Sequence, residues 1–373
     1  MKIKTFISSV LASALCALTL TGCAGGGNSS TGNSSSTGGT STVSDTESTA
    51  SSNESTSTPE SSTYSSTPES GTSSDILTPS PVKIVALKGP TAMGLTKLMD
   101  DNEKNELGYD FQILAAPDEI SPMAAQGTAD IFCVPANLGA VLCNKTDGKL
   151  KAIAINTLGV LYICEKGDSV SSVADLKGKT IYSAGKGSTP EYALNFILES
   201  NGIDPEKDVT IEWKSEHAEC LAAMLAGENC VAMLPQPFVT TAQSKNDAVR
   251  VAIDLNDAWD ELGVDSTLIT GAAIVRTEFA EQHPDAVNSF LKQYAESVDY
   301  VNAHIDEAAE LIEKYDIVPA AVAKKAIPEC HIVCITGKEM KEKLSGYLKV
   351  LFDNEPASVG GSLPDDGFYY IGG

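Results

Sequence analysis

The chain has 373 residues, 42% of them hydrophobic, and carries a formal net charge of -24. That length holds two domains and a tail. A pI near 4.4 argues against nucleic acid or an anionic membrane surface as the main partner. It leaves a small ligand open, because the field inside a cleft can oppose the net charge.

At the N-terminus, Lys2 and Lys4 precede an apolar run over 6–20 that is too short to span a bilayer. The run ends in Leu20-Thr21-Gly22-Cys23, the pattern of a bacterial lipoprotein signal. The expectation is a signal over 1–22 and a lipid on Cys23 that anchors the chain on the extracytoplasmic face of the cell membrane. From there to about residue 81 the chain is Ser, Thr and Gly with scattered acids and cannot bury a core. As a flexible coil, 23–81 would make a tether of roughly 40 Å r.m.s. span.

The globular part starts at Val82. A strand over 82–87 leads through Gly89-Pro90-Thr91 into a helix over 92–100. A strand at 110–114, a helix at 117–126 and a strand at 129–134 follow, the last ending in Pro135-Ala136-Asn137. A helix from 138, then strands at 151–156 and 160–164, complete the set. The next stretch repeats the order: strand 179–183, turn 185–189, helix 190–200, strand 208–213, helix 218–226. The strand 230–234 then ends in Pro235-Gln236-Pro237, and a helix at 238–242 and strands at 250–254 and 272–276 follow.

This alternation predicts an α/β fold of two doubly wound lobes with parallel sheets. The strands 160–164 and 272–276 are expected to cross between them as hinges. Lobe 1 is then discontinuous, 82–166 with 271–373, and lobe 2 is 167–270. The remainder reads as helical at 280–300, 305–315, 319–326 and 339–352, with an irregular tail from 356.

Ligands of open parallel sheets gather outside the carboxyl ends of the strands. In 180–192, Gly185 and Gly187 allow a tight turn, Ser188 and Glu191 have capping-box spacing, and Pro190 suits the first helical turn. Such a helix start attracts an acceptor or anion. The candidate ligand-binding residues are Gly89, Pro90, Thr91, Asn137, Gly187, Ser188, Thr189, Tyr192 and Gln236. Lys88 and Lys186 flank the two turns and are read equally as anion-attracting or as solvated.

No catalytic motif stands out in the sequence. The chain has neither a nucleophile elbow nor a phosphate-binding loop. His217, His283, His304 and His331 are scattered and read as surface or capping residues. Of the seven cysteines beyond Cys23, Cys220 with Cys230, or Cys330 with Cys334, could pair in an oxidising compartment; the rest read as buried thiols. The pair around His331 lacks further ligands for zinc. No metal and no cofactor is expected, and binding without catalysis is the reading.

Several ordered motifs carry a resemblance: Leu87-Lys-Gly-Pro-Thr-Ala-Met-Gly94, Ala129-Asp-Ile-x-x-Val-Pro-Ala-Asn137 and Asp175-Leu-Lys-Gly-Lys-Thr-Ile-Tyr182. Further on come Gly185-Lys-Gly-Ser-Thr-Pro-Glu191, Met233-Leu-Pro-Gln-Pro237 and Val359-Gly-Gly-x-Leu-Pro-Asp-Asp366. With the lipoprotein pattern, they resemble the substrate-binding proteins of bacterial ABC importers, in the group of nitrate, sulfonate, taurine and thiamine-precursor (pyrimidine) binding proteins. The resemblance implies a type II periplasmic-binding-protein fold, a monomer closing on a small-molecule solute, and delivery to a membrane permease with its ATPase. No arginine falls in the candidate loops, which speaks against a sulfonate, while Tyr182 and Tyr192 leave room for a ring. A sensory or adhesive surface protein and a pyrimidine-synthesis enzyme of related fold are the alternatives.

Overall fold

The computed structural model describes residues 80–372, apart from 116 and 229. The signal, Cys23 and nearly all of the tether lie outside the described residues. In chain order the strands are β1 (Val82–Leu87), β2 (Tyr109–Leu114), β3 (Ile131–Pro135), β4 (Leu150–Leu158), β5 (Leu161–Lys166) and β6 (Thr180–Ala184). They continue as β7 (Thr210–Lys214), β8 (Cys230–Pro235), β9 (Val249–Asp254), β10 (Ile269–Arg276) and β11 (Ile332–Thr336).

Two sheets result. The first has six strands in the order β11-β4-β10-β3-β1-β2, and the second has five in the order β7-β6-β8-β5-β9. In the first sheet, β1 is parallel to β2 and β3. In the second, β6 is parallel to β7 and β8. The fourth strand runs the other way in both: β10 is antiparallel to β3, and β5 to β8. The sheets are therefore mixed, where the sequence pattern suggested parallel ones. The cause is the path of the chain, since β5 and β10 are each the first strand laid down after the chain changes sheets.

That path also corrects the two expected crossing strands. The strand over 161–166, expected with the first part of the chain, is hydrogen-bonded on both edges into the second sheet. The strand over 272–276 lies wholly inside the first sheet, between β3 and β4. The first change of sheet is confined to Gly159 and Val160. Leu158 still belongs to the first sheet, with its N–H donating to His331 O at 3.2 Å. Val160 O already accepts from Gln236 N of the second sheet's end at 3.0 Å. Between them, Gly159 O accepts from Asn256 Nδ2 at 3.1 Å and from the His331 ring at 2.6 Å. A carbonyl only accepts, so His331 carries its proton on Nδ1 here. Asn256 sits in the helix Leu255–Asp260, where the chain leaves the second sheet. The two changes of sheet are thus fastened to each other at one glycine.

Both faces of the first sheet are covered, as alternation along β1 shows. Ile84 and Ala86 enter one core, and Val85 enters another. The core that takes Val85 runs on to Ile163 and Ile181 of the second sheet. Aromatic rings join it: Trp259 lies 4.8 Å from Phe196 and 5.6 Å from Tyr347 between ring centroids. Tyr347 belongs to the helix Gly337–Asn354, and Phe196 to the helix Thr189–Ser200.

The last third is not purely helical. Ile332-Val-Cys-Ile-Thr336 forms the edge strand β11 against β4. Five residues among helices give too short a pattern for periodicity to reveal, although their β-branched content fits a strand. Of the cysteine pairs that could form in an oxidising compartment, neither is made here: Cys220, Cys230, Cys330 and Cys334 are free thiols.

A Cβ on Gly159 would stand 1.5 Å from Asn256 Oδ1. Gly159→Ala is expected to lower stability by about 1–3 kcal/mol in urea unfolding, the usual range for overpacking. Adding Asn256→Ala should return part of that loss, a non-additivity expected of residues in contact. An unchanged urea midpoint for the single variant would show that the crossing tolerates a side chain.

Candidate functional site

A cleft of about 690 Å³ opens between the two sheets. Its walls come from the ends of strands, because a strand that stops at Pro or Gly turns its last residues out of the sheet. From the first sheet, Leu87 to Thr91 follow β1, and Pro135 ends β3. From the second, Ala184 to Pro190 line it after β6 (Gly187 excepted), and Pro235, Gln236 and Phe238 at the end of β8. Thr157, Val160, Leu161 and Thr270 form the part next to the crossing. The loop Lys214–His217 after β7 adds a further edge.

The expected site residues divide on this geometry. Gly89, Pro90, Thr91, Ser188, Thr189 and Gln236 line the cleft together. Gly89 has φ +125°, which a residue with a side chain rarely adopts, so β1 can turn sharply into Pro90. Asn137, Gly187 and Tyr192 are not in the lining. Asn137 is fully buried behind it: its Nδ2 donates to Ser358 O at 2.8 Å, and its Oδ1 accepts from Thr189 Oγ1 at 3.1 Å. It acts as a polar tie from the helix after β3 to the helix after β6. Tyr192 is half-buried and packs on the core shared by the two sheets.

The capping box expected at 188–191 does not form. Glu191 reaches one residue further back, and its carboxylate accepts from Gly187 N at 2.6 Å. Ser188 Oγ instead donates to Gly185 O at 2.7 Å. Gly185 is the glycine this turn requires: φ is +85°, and a Cβ would meet the Pro190 ring at 2.8 Å. The helix start therefore already has a carboxylate on the turn's N–H, which answers its positive end from within.

Gln236 is nearly buried, with Oε1 accepting from Thr240 N at 3.3 Å and from Thr240 Oγ1 at 2.9 Å. Its NH2 group donates to none of the described residues. Three lysines and three acids line the cleft: Lys88, Lys186 and Lys214 against Asp118, Glu119 and Glu216. Lys88 pairs with Asp316 at 2.8 Å, and Lys214 with Glu212 at 3.0 Å while standing over the Tyr182 ring.

Sequence reasoning missed the loop Lys214–His217, and with it a histidine. His217 is half-buried at the edge of the cleft rather than on the open surface. Its ring packs against Phe238 at 5.6 Å, and Nδ1 is buried without a partner. Burial pushes its pKa down to about 4. The signal is in the sequence, since 208–213 reads as a strand and 218 as a helix start, so the rule of strand carboxyl ends points to the residues between. The crossing residues Thr157, Val160 and Thr270 carried no such signal, because their place depends on the change of sheet.

Because the folded imidazole resists a proton that the unfolded chain accepts near 6.5, His217 makes stability fall as pH drops from about 6.5 to about 4. Below that the contribution levels off. His217→Phe should therefore flatten this part of the stability profile relative to the unchanged protein, measured by urea unfolding at each pH. Parallel profiles would place the ring in water rather than against Phe238.

Comparison with known proteins follows the fold. A chain from Parabacteroides distasonis described as an ABC transporter superposes with TM-score 0.65 at 23% identity, covering 78% of this chain and 99% of that one. The periplasmic aliphatic sulphonate binding protein SsuA of Escherichia coli gives 0.63 at 17% identity, covering 79% and 93%. The periplasmic nitrate-binding protein NrtA of Synechocystis PCC 6803 gives 0.52 at 14%, covering 65% and 68%. Identities this low speak for the fold alone, and that fold is the periplasmic-binding-protein fold expected from the sequence. A putative aliphatic sulfonates-binding protein of Bacillus subtilis (strain 168) is 49% identical over 41 residues, only 11% of this chain and 12% of that protein. The family described as NMT1/THI5 like matches residues 105–308, over half of the chain, and the chain belongs to that family.

Proposed function

We propose that this chain is the solute-binding receptor of an ABC importer. It takes a small molecule into the cleft between its sheets and delivers it to a membrane permease driven by an ATPase. A lipid on Cys23 and the tether over 23–81 hold it, as a monomer, on the extracytoplasmic face of the membrane. The division into lobes belongs to the same reading, but the expected bounds, 82–166 with 271–373 and 167–270, move so that the second lobe begins near 160, because 161–166 is bonded into the second sheet.

The observation that carries the proposal is the cleft itself. Both walls are made of strand carboxyl ends, and polar groups converge there over an apolar bed of Pro90, Pro135, Leu161 and Phe238. Relatives of this fold are named for sulfonate and nitrate binding. Thiamine-precursor pyrimidines and sulfonate- or nitrate-like anions are accordingly the ligands to try first.

Binding rather than turnover fits the groups present. Ser188 Oγ gives its proton to a carbonyl, not to a base. His217 has no described group on Nδ1 to orient it. Neither arrangement makes a nucleophile with an oriented base.

Thermal shift of the full chain against thiamine precursors, other pyrimidines, alkylsulfonates, taurine and nitrate tests the proposal. A ligand at a hundred times its Kd adds about 2.7 kcal/mol to stability. Phe238→Ala should weaken the same ligand by roughly ten- to a hundredfold, the worth of a lost aromatic contact. A ligand that binds Phe238→Ala as tightly as the unchanged chain would place its site elsewhere.

A further inference from the structure

The hydroxyls of the cleft have a common polarity. A hydroxyl has one proton and two lone pairs, whereas a carbonyl oxygen only accepts. Six hydroxyls line the cleft: Thr91, Thr157, Ser188, Thr189, Ser215 and Thr270. Three of them donate to main-chain carbonyls: Thr91 to Leu87 O at 2.8 Å, Ser188 to Gly185 O at 2.7 Å and Thr270 to Leu158 O at 2.5 Å. Thr189 donates to Asn137 Oδ1 at 3.1 Å, and that oxygen is fixed as the acceptor because Nδ2 donates to Ser358 O. Thr157 donates to Asn156 Oδ1 at 3.2 Å. Only the exposed Ser215 gives its proton to no described residue. Of the other five, Thr91 and Thr270 are partly exposed and turn lone pairs to whatever enters, while Thr157, Ser188 and Thr189 are buried in the wall behind them.

The cationic side of the cleft is answered from within the protein. The lining holds three lysines and three carboxylates. Two of those lysines are already paired, and the third, Lys186, is exposed at the edge. The chain has only two arginines. Arg250 is bound to the buried Glu165 at 2.5 Å and Arg276 to Asp130 at 2.7 Å, both away from the cleft. The turn that would receive an anion, at Gly187, holds the carboxylate of Glu191. An oxoanion stripped of water needs charge-assisted donors in the site, and few are left free to serve.

Taking the receptor reading as its basis, we infer that this cleft selects an uncharged solute bearing N–H or O–H donors, and not an oxoanion. The donors of such a solute meet the lone pairs of Thr91 and Thr270. One acceptor on it meets the NH2 of Gln236. Its apolar body rests on the prolines and Phe238.

The test uses the full chain and ring compounds matched in shape: benzenesulfonamide and benzamide against benzenesulfonate, benzoate and benzylamine. Binding is measured by calorimetry from low to high salt. In parallel the chain is equilibrated with a small-molecule cell extract, and what it retains is identified by mass spectrometry. The expected result is at least tenfold tighter binding of the amides than of their matched anions, with a Kd that does not change with salt. The retained compound is then uncharged and donor-bearing. Thr91→Val, which keeps shape and loses the oxygen, should weaken the bound amide by about tenfold, the worth of one hydrogen bond. Thr91→Ser should restore it.

An anion or amine that binds tightest, or a retained oxoanion, overturns the inference and leaves the receptor reading standing. Failure to bind any matched compound and to retain anything from the extract overturns both. Equal affinities of the Thr91→Val and unchanged chains for a bound amide would overturn the assigned polarity.

Discussion

The carbonyl oxygen of Gly159 holds the molecule's two sheets in register. It receives Asn256 Nδ2 from the point where the chain leaves the second sheet, and the ring of His331 from the approach to the edge strand of the first. Residues on either side of it bond to opposite sheets. Asn256 lies so close that only glycine fits. Partners 97 and 172 residues further along the chain are therefore joined at one peptide unit, and each sheet receives its antiparallel fourth strand beside that point. Bonds to a main-chain carbonyl that lacks a side chain position the backbone directly, so little tolerance is left for sliding.

From that junction the cleft follows. With the crossing fixed, the carboxyl ends of β1 and β3 stand on one side, and those of β6, β7 and β8 on the other. The Asn137 amide then spans the two sides from behind, bonded to Thr189 and to Ser358. The Phe196–Trp259–Tyr347 group joins the apolar cores in the same sense. Any rotation of one sheet against the other has to bend the chain near Gly159 and either keep or break the Thr189–Asn137 bond. Because both of that bond's groups are buried, breaking it without replacement would cost of the order of 1–3 kcal/mol. The resting separation of the walls is thus set by hydrogen bonds rather than by chain connectivity alone.

Much of this was legible in the chain. Strands show as short β-branched runs closed by Gly or Pro, and their repeated order points to two similar lobes. Six of the nine expected site residues line the cleft because the strand-end rule is geometric and needs no long-range information. What escaped depends on distant partners. The change of sheet at Gly159 is set by Asn256 and His331, about a hundred and more residues away. The Ser188–Glu191 spacing matched a capping box, yet the same Glu is four residues from Gly187 and found that N–H instead. His217 looked like one more scattered histidine, because no local pattern announces that Phe238 will cover it.

Charge is where local and global readings separate. The chain is strongly acidic, and its two arginines serve the fold: Arg250 neutralises a carboxylate with no exposure, Glu165, which also accepts from Ser169 and Val170. Burial alone would raise the pKa of Glu165, but these hydrogen bonds and the arginine together hold it below the usual range. A surface of this sign repels anions at a distance and does nothing to draw them in. Within the cleft, lysines and acids balance, and five of the six hydroxyls point their protons into the protein. Long-range field, local charge and hydrogen-bond polarity agree, though each has a different structural origin. Selection at such a site rests on the shape of the proline and phenylalanine bed and on the direction in which each hydrogen bond can be made.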